Sequence, residues 1–485
     1  MLLAGIGGLA ASSDLLGTGN VLRDTPACAQ IAASISSESA VYYNGSTLYT
    51  KDNYHWASSS SQVSACTFEP GTTEDLSKAL QILGATRTQF AVKSGGHATN
   101  PGFSSTTGVQ IAMYLFSDIT YDSASQTAKV GTGAIWDDVY LTLEALGVMV
   151  LGGKVTGVGV GGVVLGGGFS YLTNQHGLAI DNVVSYELIL PNGTVTTVTS
   201  SSNPDLYFGL RGGFNNFGIV TYFTLKTYPQ SQIWGGSLVY TEDQVGAINA
   251  AVANFTVNVL DPKASIYSTY NYVNGSSILS SALFYDAPTP PDGMFDDFSA
   301  IPNIEETLST RTFASMVDVE PVNDTIGLRA VFNSIAVEEW TVPLLDAVAN
   351  ETLFYGSKLT NTSSLAQVTY NVRPYLESIF SHSDIPSAYP VSRKRGYSYL
   401  EFFYAWVDPN DDDLFYGIVT TSSNYMTSLA VAAGQNIENV VSYPNNADPS
   451  TSLEKMYGSN LPRLRRIKKA VDPENVMGLC GGWKF

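Results

Sequence analysis

A chain of 485 residues with 44% hydrophobic and 14% charged residues is too long for one simple core and too apolar to be disordered. Its formal net charge of −19 is interrupted by no basic stripe, so a nucleic acid would meet a repulsive field and is excluded as a partner. No run of about 20 apolar residues predicts a membrane span, and three cysteines without a CxxC pair exclude a thiolate metal cluster.

The opening MLLAGIGGLAASS has the apolar, short character of a signal-peptide core but lacks a basic start, and residues 1–29 read as peripheral. Asn-X-Ser/Thr sequons begin at Asn44, Asn192, Asn254, Asn274, Asn323, Asn350 and Asn361, which points to a secreted, glycosylated chain. An oxidising compartment would allow Cys28 and Cys66 to pair as a disulfide, with Cys480 left over. From about 62 to 227, glycine-broken apolar runs read as strands: QFAVKSGG, GVQIAM, TAKVGTGA, GVMVLGG, SYELILPNG and GIVTYFTLKTY. Two helices interleave. One, over 72–83, opens with Thr72 and an acid three residues later. The other, over 135–147, sets Val139, Leu143 and Leu146 on one face and stops at Gly147. The pattern is α+β.

After Pro229 glycine thins out. Helix-like stretches at 243–255 and 413–434 flank the alternating runs SILSSALFYD and YSYLEFFYAWVD, as in an antiparallel sheet covered by helices. Residues 446–477 are helix and turn, and their basic RLRRIKK (463–469) reads as a solvated helix face.

Glycine-lined segments carry the functional signal. His97, one of four histidines, stands directly behind a glycine pair in KSGGHATNPGF (93–103). A lone histidine is more often a satisfied structural side chain, and the glycines add only close approach. In GGKVTGVGVGGVVLGGG (152–168), Gly157-x-Gly159-x-x-Gly162 with Asp181 further on imitates a nicotinamide-dinucleotide turn. That turn must open a helix, whereas Gly166, Gly167 and Gly168 follow at once, and each costs about 1 kcal/mol in a helix relative to alanine. The segment therefore reads as looping backbone whose N–H groups face an anion. A third segment, LYFGLRGGFNNFGIVTYFTL (206–225), reads as turn plus strand. Together the three suggest a long, flat, partly anionic ligand such as a dinucleotide cofactor.

SGGH (94–97), the 152–168 segment, LYFGLRGGFNNFGIVT and YGSNLPRLRRIKKAVDPENV resemble the FAD-linked oxidases typified by berberine bridge enzyme, in the vanillyl-alcohol oxidase superfamily. The likeness is to the secreted fungal branch and spans about residues 28–480. It implies a PCMH-type FAD-binding domain in two parts, 30–233 with 437–485 returning to it, and a substrate domain over 234–436. It also implies FAD joined covalently to His97 through a ring nitrogen. Around that link it places Ser94, Gly95, Gly96 and Gly102; then Lys154, Thr156, Val158, Gly159, Gly161, Gly162, Gly166 and Gly168; and finally Ile219, Val220 and Asn445. Relatives with a second, cysteinyl link carry a cysteine where this chain has Val155, so the histidyl link is expected to be single. Val158 falls at the family's oxygen-gatekeeper position, which implies an oxidase that makes hydrogen peroxide.

Hydride transfer needs a base to take a substrate proton. Glu401 lies among the aromatic residues of YSYLEFFYAW, and alternation alone leaves its direction open. The family places its catalytic acid or amide five residues before the tryptophan, here Trp406, which assigns the role to Glu401. The family's Tyr-x-Asn-Tyr reads Tyr443-Pro-Asn445-Asn446 here, so a tyrosine base is missing, and Tyr399 and Tyr443 are left to position the substrate. The expected partners are O2 and a small molecule, an alcohol, a sugar or a phenolic or alkaloid-type metabolite, acted on by a monomer away from membranes. The readings that compete are a flavin-holding cyclase or dehydrogenase that does not use O2, a nicotinamide-dependent dehydrogenase, and a binding glycoprotein with dead chemistry.

Overall fold

The computed structural model describes residues 25–319 and 325–485. The opening apolar segment and the Asn323 sequon lie outside them. The helix Pro26–Ser34 is tied by a Cys28–Cys66 disulfide to the first residue of strand Cys66–Glu69, while the Cys480 thiol is buried and free.

The first half of the chain builds two sheets. In one, Ala40–Tyr42 pairs antiparallel with Cys66–Glu69, which runs parallel to Val109–Ala112, itself parallel to Phe90–Lys93. In the other, five antiparallel strands follow the order Ile119–Asp122, Thr127–Gly131, Ile219–Lys226, Val183–Ile189, Val195–Thr199. The expected capping at Thr72 is present: its hydroxyl accepts the Asp75 N–H at 3.1 Å, and helix Thr73–Thr86 follows. The second expected helix runs Trp136–Glu144 and stops short of Leu146, which is 54% exposed beyond its end, whereas Val139 and Leu143 are buried.

The larger sheet is antiparallel and has eight strands. Its central part runs Ile233–Thr241, Ser276–Tyr285, Ala264–Val273, Leu365–Arg373, Ser398–Trp406, Arg329–Val337. Helices Val342–Leu359 and Asp412–Ala432 cover one face. Strand Ser398–Trp406 is buried on both faces, hence its nearly unbroken apolar sequence. Leu400, Phe402, Tyr404 and Trp406 join the core under the helices, and Trp406 stacks on Phe415 at 4.7 Å.

The C-terminal helix Leu461–Val471 buries Leu464 and Ile467 among first-half residues such as Leu206 and Phe208. Its basic face is not wholly solvated. Arg463 lies over the Phe208 ring at 3.8 Å, and Lys468, 5% exposed, pairs with Asp472. No helix among the described residues is long and apolar enough to cross a membrane.

Candidate active site

The glycine-rich segment does open a helix, contrary to the reading of 152–168 as continuous loop. Gly159 caps helix Val160–Gly166, which ends where Gly167 takes φ 132°. Tertiary contacts override the glycine penalty: Val160 and Val164 are fully buried, and the Gly161 N–H donates to Ser94 Oγ at 3.2 Å. That hydroxyl in turn donates to the Thr132 carbonyl at 2.5 Å. The same contact requires glycine on both sides, since a Cβ on Gly95 would stand 2.4 Å from Gly159 N. Asp181 takes no part in dinucleotide binding. Its carboxylate is buried and paired with Arg211 at 2.7 Å and Arg393 at 2.9 Å, which removes the nicotinamide reading's ribose partner.

These loops border a cavity of about 470 Å³ that reaches across to the eight-stranded sheet. Its wall brings together Ser94, Gly95, Gly96, His97, Lys154, Val158, Gly159, Gly161, Gly162, Ile219, Val220, Glu401, Tyr443 and Asn445. Val155 lines it too. Five expected residues do not. Thr156 turns away to donate to Asp137 at 2.5 Å. Gly166 packs on Asn445, where a Cβ would meet Oδ1 at 2.1 Å, and Gly168, at φ 80°, gives its N–H to the Tyr443 oxygen at 3.1 Å. Gly102 abuts the C-terminal Gly481, and Tyr399 bonds the Tyr389 hydroxyl at 2.8 Å beside a smaller cavity.

His97 stacks on Trp56 with ring centroids 4.3 Å apart and planes within 13°. Its Nε2 is buried and has no hydrogen-bond partner among the described residues. Burial pushes its pKa down to about 4, so the ring is neutral at pH 7. A neutral, partly sheltered imidazole on a cavity wall is the form that can act as a nucleophile.

Across the cavity Glu401 is 4% exposed and points inward. Its Oε1 accepts from Arg373 Nη2 at 2.5 Å and Asn371 Nδ2 at 2.9 Å, and its Oε2 accepts from the Asn446 amide. A guanidinium and two amides thus satisfy both oxygens of the buried carboxylate. Lys154 donates to the phenols of Tyr267 and Tyr375, the latter at 3.0 Å, and its cation sits 3.9 Å from the Tyr267 ring centre. Trp56, Phe332 and Phe403 form an aromatic wall next to His97. Sequence reasoning missed Trp56, Asn371 and Arg373. The available signal was the alternation Gln367, Thr369, Asn371, Arg373, which puts one polar row on the cavity face.

Residues 64–199 match the family described as FAD binding domain, and 442–478 the family described as berberine and berberine like. The chain is 39% identical over 278 residues to an uncharacterized FAD-linked oxidoreductase of Arthroderma benhamiae, covering 56% of this chain and 55% of that protein. It is 30% identical over 473 residues to the FAD-dependent monooxygenase drtC of Aspergillus calidoustus, covering 94% and 90%. The fold of a xylooligosaccharide oxidase from Myceliophthora thermophila superposes with a TM-score of 0.72 at 20% identity, covering 90% of this chain and 95% of that one. Fold, cavity and matches together define an FAD-dependent oxidoreductase. The chain belongs to the berberine bridge enzyme-like family of FAD-linked oxidoreductases.

The cavity walls fit FAD on their own terms. A Cβ added at Gly162 meets nothing within 4 Å, so the backbone there faces open cavity, as a cradle for a cofactor requires. At the same wall, the orphaned Nε2 of His97 marks a ring held without any protein partner for that atom.

Proposed function

We propose that the protein is a secreted oxidase that holds FAD in this cavity, joined once, to His97, and oxidises an alcohol, a sugar or a phenolic or alkaloid-type metabolite. The observation that carries the proposal is the pairing of a neutral imidazole, its Nε2 without a hydrogen-bond partner among the described residues, on one wall with a buried, inward-pointing carboxylate on the other. FAD, when bound in this cavity, would supply a two-electron acceptor for the substrate's hydride, with O2 as the terminal acceptor and hydrogen peroxide as the second product.

The protein's own groups do the rest. Glu401 takes the substrate proton, with Arg373, Asn371 and Asn446 fixing the direction of its two oxygens. Asn446 has no proton to exchange in this range, so the role a tyrosine would have there passes to Glu401. Tyr443, whose phenol burial keeps protonated, lines the cavity wall beside Glu401 and helps shape the space the ligand would take. Gly162, in the first turn of helix Val160–Gly166, would present its backbone N–H to the diphosphate, while the Gly161 N–H and the Ser94 hydroxyl are spent holding that turn in place. Valine at 155 has no thiol for a second link, and the small side chain of Val158 on the cavity wall would leave room for O2 beside the cofactor. On this reading 30–233 with 437–485 form the FAD domain and 234–436 the substrate domain. Export is supported by the disulfide and by the exposure of all six described sequon asparagines.

Acid precipitation of the purified holoenzyme tests the tether: the yellow colour should stay with the wild-type pellet and wash out of a His97→Ala pellet. Colour that washes from the wild type removes the covalent link.

A further inference from the structure

Glu401 sits on the middle of three strands. On one side Asn371 stands opposite it and donates directly. On the other side Ser334 stands opposite it. Directly opposed residues of an antiparallel pair carry their Cβ atoms about 4.5–5.5 Å apart on the same face. Ser334 is 5% exposed, yet its hydroxyl has no hydrogen-bond partner among the described residues, and neither has the buried Nε of Arg373. Buried polar groups are almost always partnered, so two orphans beside one carboxylate call for an account.

A second cavity, of about 10 Å³, lies between these groups, with Ser334, Arg373, Glu401, Tyr399 and Tyr443 in its wall. One water needs roughly 10–15 Å³ by this measure and two to four polar partners. Tyr443 adds a donor: its oxygen already accepts from the Gly168 N–H and the Asn445 amide, which leaves its own proton to be given outward. The wall therefore offers two donors, a hydroxyl that serves either way, and a carboxylate.

We propose that the small cavity is a water-binding site and that Ser334 is a positioning residue, holding Glu401 through that single water in the direction from which it meets substrate. The positioning role rests on the reading of Glu401 as the base; the water site does not. The site completes a symmetrical grip, with an amide reaching the carboxylate from one neighbouring strand and a hydroxyl plus water from the other.

The test is a crystal structure of the holoenzyme at a resolution that shows ordered solvent, together with the pH profile of flavin reduction in wild type, Ser334→Val and Ser334→Ala. Valine fills the cavity without a polar atom; alanine leaves the room but removes the hydroxyl and cannot overpack the strand, which guards against a valine variant that folds poorly. Wild type should show one water within hydrogen-bond distance of Ser334 Oγ and Glu401, and Ser334→Val none. Loss of one hydrogen bond to a carboxylate should move the acid limb of flavin reduction up by roughly half to one pH unit in both variants, with flavin content unchanged. A dry wild-type cavity, or variants that keep the wild-type profile, overturns the proposal. A water in place together with a Glu401→Gln enzyme that reduces flavin at the wild-type rate overturns the positioning role and the base assignment, and leaves only the water site.

Discussion

Two glycine-to-alanine substitutions in the cofactor cradle should have opposite effects on the empty protein and the same effect on its colour. At Gly95 the new methyl would lie 2.4 Å from Gly159 N and 2.7 Å from its Cα, about 1 Å inside ordinary contact, and both obstacles are backbone. The loops must part, at the cost of about 1–3 kcal/mol typical of overpacking. At Gly162 the methyl meets nothing within 4 Å and sits in helix Val160–Gly166, so the apoprotein should gain about 0.5–1 kcal/mol from lost glycine freedom. That methyl projects into the cavity, however, and should lower flavin occupancy. Thermal unfolding of the apoproteins, with the ratio of flavin to protein absorbance after reconstitution, reads both effects. Gly95→Ala should melt several degrees lower and bind less flavin; Gly162→Ala should melt no lower than wild type and also bind less. A Gly162→Ala protein that fills with flavin as completely as wild type would refute the placement of the cofactor against that helix.

Glu401→Gln should slow flavin reduction by about 10²- to 10⁴-fold in stopped-flow traces while reoxidation by O2 stays unchanged; equal slowing of both steps removes the base role. Asp181→Asn should destabilise the fold by about 3–5 kcal/mol, because it leaves Arg211, whose side chain is 1% exposed, without its buried anion; chemical denaturation checks this. Burial holds His55, His97 and His176 near a pKa of about 4, against 6.5 when unfolded. The unfolded chain therefore binds protons that the fold refuses, and stability present above pH 6.5 is lost as the pH falls toward 4. Glu69, pushed up to about 7 by burial and by Asp52 beside it, opposes this between pH 7 and 4.5. Glu351 and Asp52, whose carboxyls burial also raises, act in the same direction as Glu69. The three strongly shifted histidines outweigh them, so the apoprotein's melting temperature should drop between pH 7 and 4.5, and a rise would contradict the burial argument. Finally, an oxidase releases one peroxide per O2 consumed, whereas a monooxygenase, the activity in the name of the Aspergillus calidoustus relative, does not; an oxygen electrode with a peroxide assay decides between them.

The strands of the first half were legible because β-branched runs bounded by glycine admit little else, and Thr72 announced its helix by its own capping chemistry. The helix Val160–Gly166 was not legible, because its stability comes from buried valines and from Ser94, far away in sequence, against the local preference of its glycines. Leu146 kept the helical spacing after the helix had ended, so periodicity misplaced it. At the site, His97 and Glu401 stood out by residue type and family likeness. For Asn371 and Arg373 the alternation marks a polar row, but their relation to Glu401, like that of Ser334, is set by which strands are neighbours and in which register. Asn446 was noticed only as a missing tyrosine, and its actual work, donating to Glu401, needed coordinates.

The double burial of strand Ser398–Trp406 has an evolutionary reading. Glu401 and Phe403 face the cavity, while Leu400, Phe402, Tyr404 and Trp406 bind the sheet to its helices. Cohesion and chemistry are thereby assigned to alternate letters of a single nine-residue word. Exchanges at the odd positions can retune what the cavity accepts without loosening the scaffold, and drift at the even positions is policed by folding alone. A lineage that diversifies its substrates would leave its record in every second residue of this strand.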